Sequence, residues 1–185
     1  MHLENKIAIF IDGANLHASL RPLGFDIDYK LLLDFFRTRG SLLRAAYYAA
    51  TAQDAEFVVV RRLLDWLAYN GYTVVTKAVR EPAGGGGHRR SNVGIEMVVD
   101  ALTLAPYVHQ IVLFSGDGDS RLMVTALQRR GLRVTVVSTI AAREDGLRRE
   151  ADDFLDLRDL PDRIGRPLPE SLLASSRDLV HLTAK

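Results

Sequence analysis

The stretch Ile7-Ala8-Ile9-Phe10-Ile11-Asp12-Gly13-Ala14-Asn15 decides the fold. Its first five residues are apolar with no polar alternation, so they predict a strand buried on both faces, as in the middle of a covered parallel sheet. Asp12-Gly13-Ala14-Asn15 then turns the chain into a short helix. Working outward, residues 41–50, 72–79, 110–114 and 132–137 also read as strands, and 154–157 as a short last one. Helices are predicted between them, over 29–39, 54–69, 92–104, 119–130 and 141–151. Asp28 is a ready N-cap for the first, with Leu31, Leu32, Phe35 and Phe36 on its buried side and Gly40 closing it. Ser91 and Asn92 are the expected cap of the third. Strand–helix alternation repeated five times argues for right-handed β-α-β units and an α/β, doubly wound, five-stranded and mainly parallel sheet.

The 185 residues suit one domain with a tail. The domain is expected over residues 1–160. Pro161, Pro167 and Pro169 mark residues 161–185 as a linker and a short tail helix near 170–174, which could dock on a partner subunit to give a homodimer. With 24 basic and 23 acidic residues the net charge is +1, so any nucleic-acid-binding surface must be local. The absence of cysteine excludes disulfides, thiolate metal sites and cysteine nucleophiles. Asp12 interrupts the first apolar run too early for a signal peptide or a membrane helix, so no membrane association and a cytoplasmic location are expected.

Two of the most apolar strands run into aspartates. The first leads to Asp12, and the fourth leads to Phe114-Ser115-Gly116-Asp117-Gly118-Asp119. Open α/β sheets bind ligands beyond the carboxyl ends of their strands, where strand order reverses. If the two strands are neighbours, Asp12, Asp117 and Asp119 converge there. Two unit charges about 4 Å apart cost roughly 4 kcal/mol at an effective dielectric near 20, so such a group calls for a divalent cation or a shared proton. All-oxygen donors suit a hard cation, Mg²⁺ or Mn²⁺. The plainer reading is turn and cap chemistry, in which Asp is common. On the helix over 92–104, Glu96 and Asp100 are four apart and share a face, which reads either as a solvated surface or as two further ligands at the same edge.

The motifs Phe10-Ile11-Asp12-Gly13-Ala14-Asn15-Leu16, Asn92-Val93-Gly94-Ile95-Glu96-Met97-Val98-Val99-Asp100-Ala101 and Phe114-Ser115-Gly116-Asp117-Gly118-Asp119 together resemble the NYN (LabA-like, DUF88) branch of the PIN-like nucleases. The resemblance spans residues 7–157. It implies a Rossmann-like sheet of order 3-2-1-4-5 and metal-dependent endoribonuclease activity on single-stranded or structured RNA. On that basis Asp12, Asp117 and Asp119 would be catalytic and hold the metal, with Glu96 and Asp100 as further candidate ligands. Asn15 would hold a metal-bound water or a phosphate oxygen, and Ser115 would bond a phosphate or orient Asp117. The family usually has an aspartate in the first turn of the middle helix, where this chain has Gly94. That departure motivates an alternative reading, a catalytically weakened RNA-binding or regulatory module.

Lys77, Arg80, His88, Arg89 and Arg90 bracket a run of four glycines, Gly84 to Gly87. They read either as a cationic loop for an RNA backbone, with Arg89 and Arg90 as substrate contacts, or as a solvated linker. The run lacks the spacing of a phosphate-binding P-loop. Trp66 shares a helix with Leu63, Leu64 and Leu67 and is expected in the core rather than free to stack on a base. A haloacid-dehalogenase-type phosphatase would need an acid at Ala14, and a dinucleotide-binding domain would need G-x-G-x-x-G after the first strand.

Overall fold

The computed structural model describes residues 5–51, 56–78, 93–140 and 145–167. The first strand, β1 (Lys6–Asp12), is central as its composition requires. It pairs in parallel with β3 (Ser41–Thr51) on one side and with β5 (Gln110–Phe114) on the other. Outside these lie β4 (Thr73–Ala78), β6 (Arg133–Ser138) and β7 (Asp153–Asp156), giving a six-stranded parallel sheet of order β4-β3-β1-β5-β6-β7. The expected order of five strands is present, extended by the short last strand as a sixth. Chain progression reverses between β1 and β5, which makes the carboxyl ends of these two strands the switch point.

The pleat divides β1 between two cores. Ile7, Ile9 and Ile11 face one layer, and Ala8 and Phe10 face the other. The first layer contains α1 (Gly13–Leu20), α2 (Tyr29–Arg37) and α3 (Glu56–Tyr69). The second contains α4 (Gly94–Leu104), α5 (Arg121–Gln128) and α6 (Asp145–Glu150). Asp28 caps α2 as expected, accepting from the backbone N–H groups of Lys30 and Leu31 at 2.9 and 3.0 Å.

Several expectations need correction. In α2 the buried residues are Tyr29, Leu32, Leu33, Phe35 and Phe36, while Leu31 is 43 % exposed. The helix ends at Arg37, with Thr38 as its C-cap, rather than at Gly40. Trp66 is 41 % exposed, because Leu64 and Leu67 form the buried stripe of α3 and Trp66 lies off it. The residue preceding α4 is Val93, with no side-chain cap, and Ser91 and Asn92 lie outside the described residues.

The expected linker from Pro161 begins instead with a packed turn, α7 (Pro161–Ile164). Proline at the first position of a helix loses no hydrogen bond, so it starts this helix rather than breaking regularity. Ile164 is fully buried in the first core layer. A short strand β8 (Gly165–Pro167) then pairs antiparallel with β2 (Phe25–Ile27), and Arg166 is ion-paired with Asp26. The folded chain therefore runs at least to Pro167. The tail helix expected near 170–174 lies outside the described residues.

Candidate metal and nucleic-acid site

Asp12 is the last residue of β1 and the N-cap of α1. One carboxyl oxygen accepts from the Asn15 N–H at 3.1 Å. The next residue must be glycine on steric grounds. A Cβ at Gly13 would lie 2.5 Å from the Tyr47 hydroxyl oxygen and 2.6 Å from two carbons of its ring. The Asp12 corner thus rests directly on a buried tyrosine, whose ring meets that of Tyr29 edge-on.

The corner after β5 is built in the same manner. Ile11 lies opposite Phe114 in the sheet, which brings the residues following each strand to one level. Ser115 is buried, and its hydroxyl oxygen accepts from the Asp117 N–H at 3.1 Å. This hydrogen bond ties the Ser115 side chain to the backbone of the Asp117 turn. Asp117 in turn accepts from the Asp119 N–H at 3.1 Å and caps a 3-10 turn, Gly118–Ser120. The carboxamide oxygen of Asn15 accepts from the Gly116 N–H at 2.7 Å, so a side chain from α1 ties the two corners together across 101 residues.

Asp12, Asp117 and Asp119 line one cavity of about 260 Å³. Gly94, Ile95, Val98 and Val99 of α4 and Met123 of α5 complete much of its wall. Burial pushes the Asp12 carboxyl above its ordinary value. The Asn15 N–H opposes that rise, the Asp117 charge adds to it, and the Ala14 N–H opposes it again. No cation is ion-paired with these three aspartates among the described residues. Turn and cap chemistry is therefore present, but it engages one oxygen of Asp12 and one of Asp117 and leaves their mutual repulsion standing.

The other expected ligands go elsewhere. Glu96 is ion-paired with Lys77 of β4 at 2.8 Å, which holds its carboxyl below the ordinary range. Asp100 accepts from the Tyr48 hydroxyl at 2.9 Å. The two do share a helix face, but that face meets β3 and β4 rather than the cavity. Gly94 stands on the cavity wall, where the resemblance leads one to expect an acid. Arg89 and Arg90 lie outside the described residues. Sequence reasoning missed Tyr47 under Gly13 and the aliphatic wall formed by α4. The available signal for the wall was that Ile95 and Val99 are four apart and off the buried Met97–Ala101 stripe.

Among the described residues no group of three or more His, Cys, Asp or Glu side chains is gathered into a metal cluster. The chemistry of the donors nevertheless fits a hard cation. Mg²⁺ keeps several waters and is commonly held by one or two carboxylates together with substrate phosphates, and two repelling carboxylates on an open cavity meet that requirement.

Over 163 residues the chain is 35 % identical to Low amplitude and bright protein LabA of Synechococcus elongatus, covering 84 % of this chain and 86 % of that protein. It also superposes with a TM-score of 0.72 on the crystal structure of VPA0982 from Vibrio parahaemolyticus, a protein of unknown function, at 27 % identity, covering 89 % of this chain and 98 % of the other. The NYN domain model matches residues 6–158, so the six-stranded sheet and both aspartate corners lie within the match, and the chain belongs to the NYN domain family.

Proposed function

We propose that this protein is a Mg²⁺- or Mn²⁺-dependent endoribonuclease that cleaves phosphodiester bonds in RNA. The observation that carries the reading is the pair Asp12 and Asp117, two carboxylates with no partner cation among the described residues, on one open cavity at the switch point. In this reading Asp12 and Asp117 hold the cation, with Asp119 beside them, directly or through water. A bound divalent ion supplies Lewis acidity toward water and toward the charge that develops on the phosphate. Asn15 fixes the spacing of the two carboxylates by tying their corners, and its amide nitrogen is a donor for a phosphate oxygen. Ser115 holds the Asp117 turn. The cysteine-free composition suits a reducing compartment, and the reading places the activity in the cytoplasm.

The test is cleavage of a labelled single-stranded RNA by purified protein with Mn²⁺. Asp12→Asn and Asp117→Asn should each lower kcat/KM on the order of 10³-fold, the loss of about 4 kcal/mol of transition-state stabilisation. Undiminished cleavage by both variants overturns the assignment.

One observation favours a second reading, an RNA-binding module with weakened chemistry. Gly94 stands on the cavity wall, so the acid expected there is missing from the site itself. A carboxylate at that position would sit at the positive end of the α4 dipole and face the cation. Under this reading Gly94→Asp creates cleavage or raises it at least about tenfold, the effect of roughly 1.4 kcal/mol. A wild-type rate that Gly94→Asp leaves unchanged removes the basis for it.

A further inference from the structure

The cavity has two chemically unlike walls. One carries the three aspartates. The other is aliphatic, with Ile95, Val98 and Val99 on α4 and Met123 on α5. Ile95 is 65 % exposed and Val99 56 % exposed, and they stand four apart on one helix face. Large apolar side chains turned to solvent inside a functional cavity are the informative kind of exposure. The polar face of the same helix is already engaged, Glu96 with Lys77 and Asp100 with Tyr48.

We infer that this aliphatic wall seats an unpaired nucleobase next to the scissile phosphate, and that Ile95 and Val99 thereby restrict the site to single-stranded segments. The inference rests on the nuclease reading above and adds to it a subsite and two specificity-determining residues. A phosphate held at the carboxylate wall carries a sugar and a base with it. Of these only the base has an apolar face to offer the aliphatic wall, since the backbone is charged and hydrated. In a duplex that face is covered by stacking, so a paired nucleotide cannot fill the wall. Among the described residues no aromatic ring and no amide side chain lines the cavity. The wall therefore favours any unpaired base through packing and does not read its identity.

The test compares wild type with Ile95→Ser/Val99→Ser, whose side chains are exposed and whose replacement leaves the core intact. Each protein is given a single-stranded oligoribonucleotide, the same strand in a duplex, and the same strand with an abasic residue at the cleavage position. Cleavage is followed with Mn²⁺ and binding by fluorescence anisotropy. Removing the base should weaken wild-type binding and cleavage about tenfold, the effect of covering one base face with apolar side chains, and should leave the variant unaffected. The variant should also lose most of the preference for single strand over duplex. Equal sensitivity of both proteins to the abasic residue overturns the inference while leaving the nuclease reading intact. If wild type binds with this pattern but never cleaves, the inference stands and the nuclease reading falls. A wild-type dimer that Ile95→Ser/Val99→Ser converts to monomer, by sedimentation, shows the wall to be a self-contact and also overturns it.

Discussion

Asp12 and Asp156 occupy equivalent places in the fold and have opposite electrostatics. Each ends a parallel strand of the same sheet, and each caps the helical turn that follows, Asp12 through the Asn15 N–H and Asp156 through the Arg158 N–H. Burial raises both carboxyls. At Asp156 the Arg158 guanidinium, 2.7 Å away, and the Arg158 N–H outweigh burial and hold the group below its ordinary value. At Asp12 burial prevails, and the neighbouring charge is another carboxylate, Asp117. Asp153 and Asp26 are likewise ion-paired, with Arg133 and Arg166. The same fold that pairs these acids with arginine leaves the switch-point acids facing one another. The chain supplies a counter-charge at Asp156, Asp153 and Asp26 and, among the described residues, supplies none at Asp12.

The comparison can be broken most forcefully at its steric support. Asp156 is fixed by a guanidinium, but Asp12 is fixed by packing of Gly13 on Tyr47. Gly13→Ala should cost about 1–3 kcal/mol through overpacking and should also abolish any rise in melting temperature on adding Mn²⁺. Full retention of both in a thermal-shift titration would show that the corner yields without moving Asp12.

A smaller effect sharpens the contrast by sign. Asp156→Ala should destabilise by about 1 kcal/mol through loss of the cap. Asp12→Asn, which keeps most of the cap and removes the repulsion, should raise the melting temperature of metal-free protein at pH 7 by about two to four degrees, corresponding to roughly 1 kcal/mol in a domain of this size. A fall in both variants would mean that the Asp12 charge is satisfied without a ligand.

The smallest effect is the pH dependence of the same two groups. The folded-state value of Asp156 is depressed, so its contribution to stability is present above the ordinary carboxyl value of 3.8 and is lost as pH falls through the lower folded value. The folded-state value of Asp12 is raised, so its contribution is complete below 3.8 and is lost as pH rises through the higher folded value. The difference in melting temperature between Asp12→Asn and wild type, measured without metal, should therefore grow as pH rises from 3.8 towards neutrality. A difference that shrinks over that interval contradicts the raised value.

Much of this was legible without coordinates. The buried strands β1 and β5 announced themselves as continuous apolar runs, and the aspartates directly after them located the cavity. The short pairing of β2 with β8 was not legible, because three residues give no period and the partner lies some 140 positions away. Glu96 and Asp100 were assigned to one face correctly, but spacing fixes only that two side chains point together. The direction depends on how α4 lies over the sheet, and that is set by Met97 and Ala101 packing into the second core.

The sequence by itself determined a doubly wound parallel sheet with acids at its switch point, since hydrophobic period and strand-end residues are local properties of the chain. Only the tertiary structure decided that Asp153 meets Arg133 and Asp26 meets Arg166, 20 and 140 positions away, while Asp12 meets another acid. Asp156 is the local case, since its arginine stands two positions on, at Arg158. The charge that distinguishes Asp12 comes from Asp117, 105 positions along the chain, and a Coulomb interaction depends on distance in space, which no local pattern encodes.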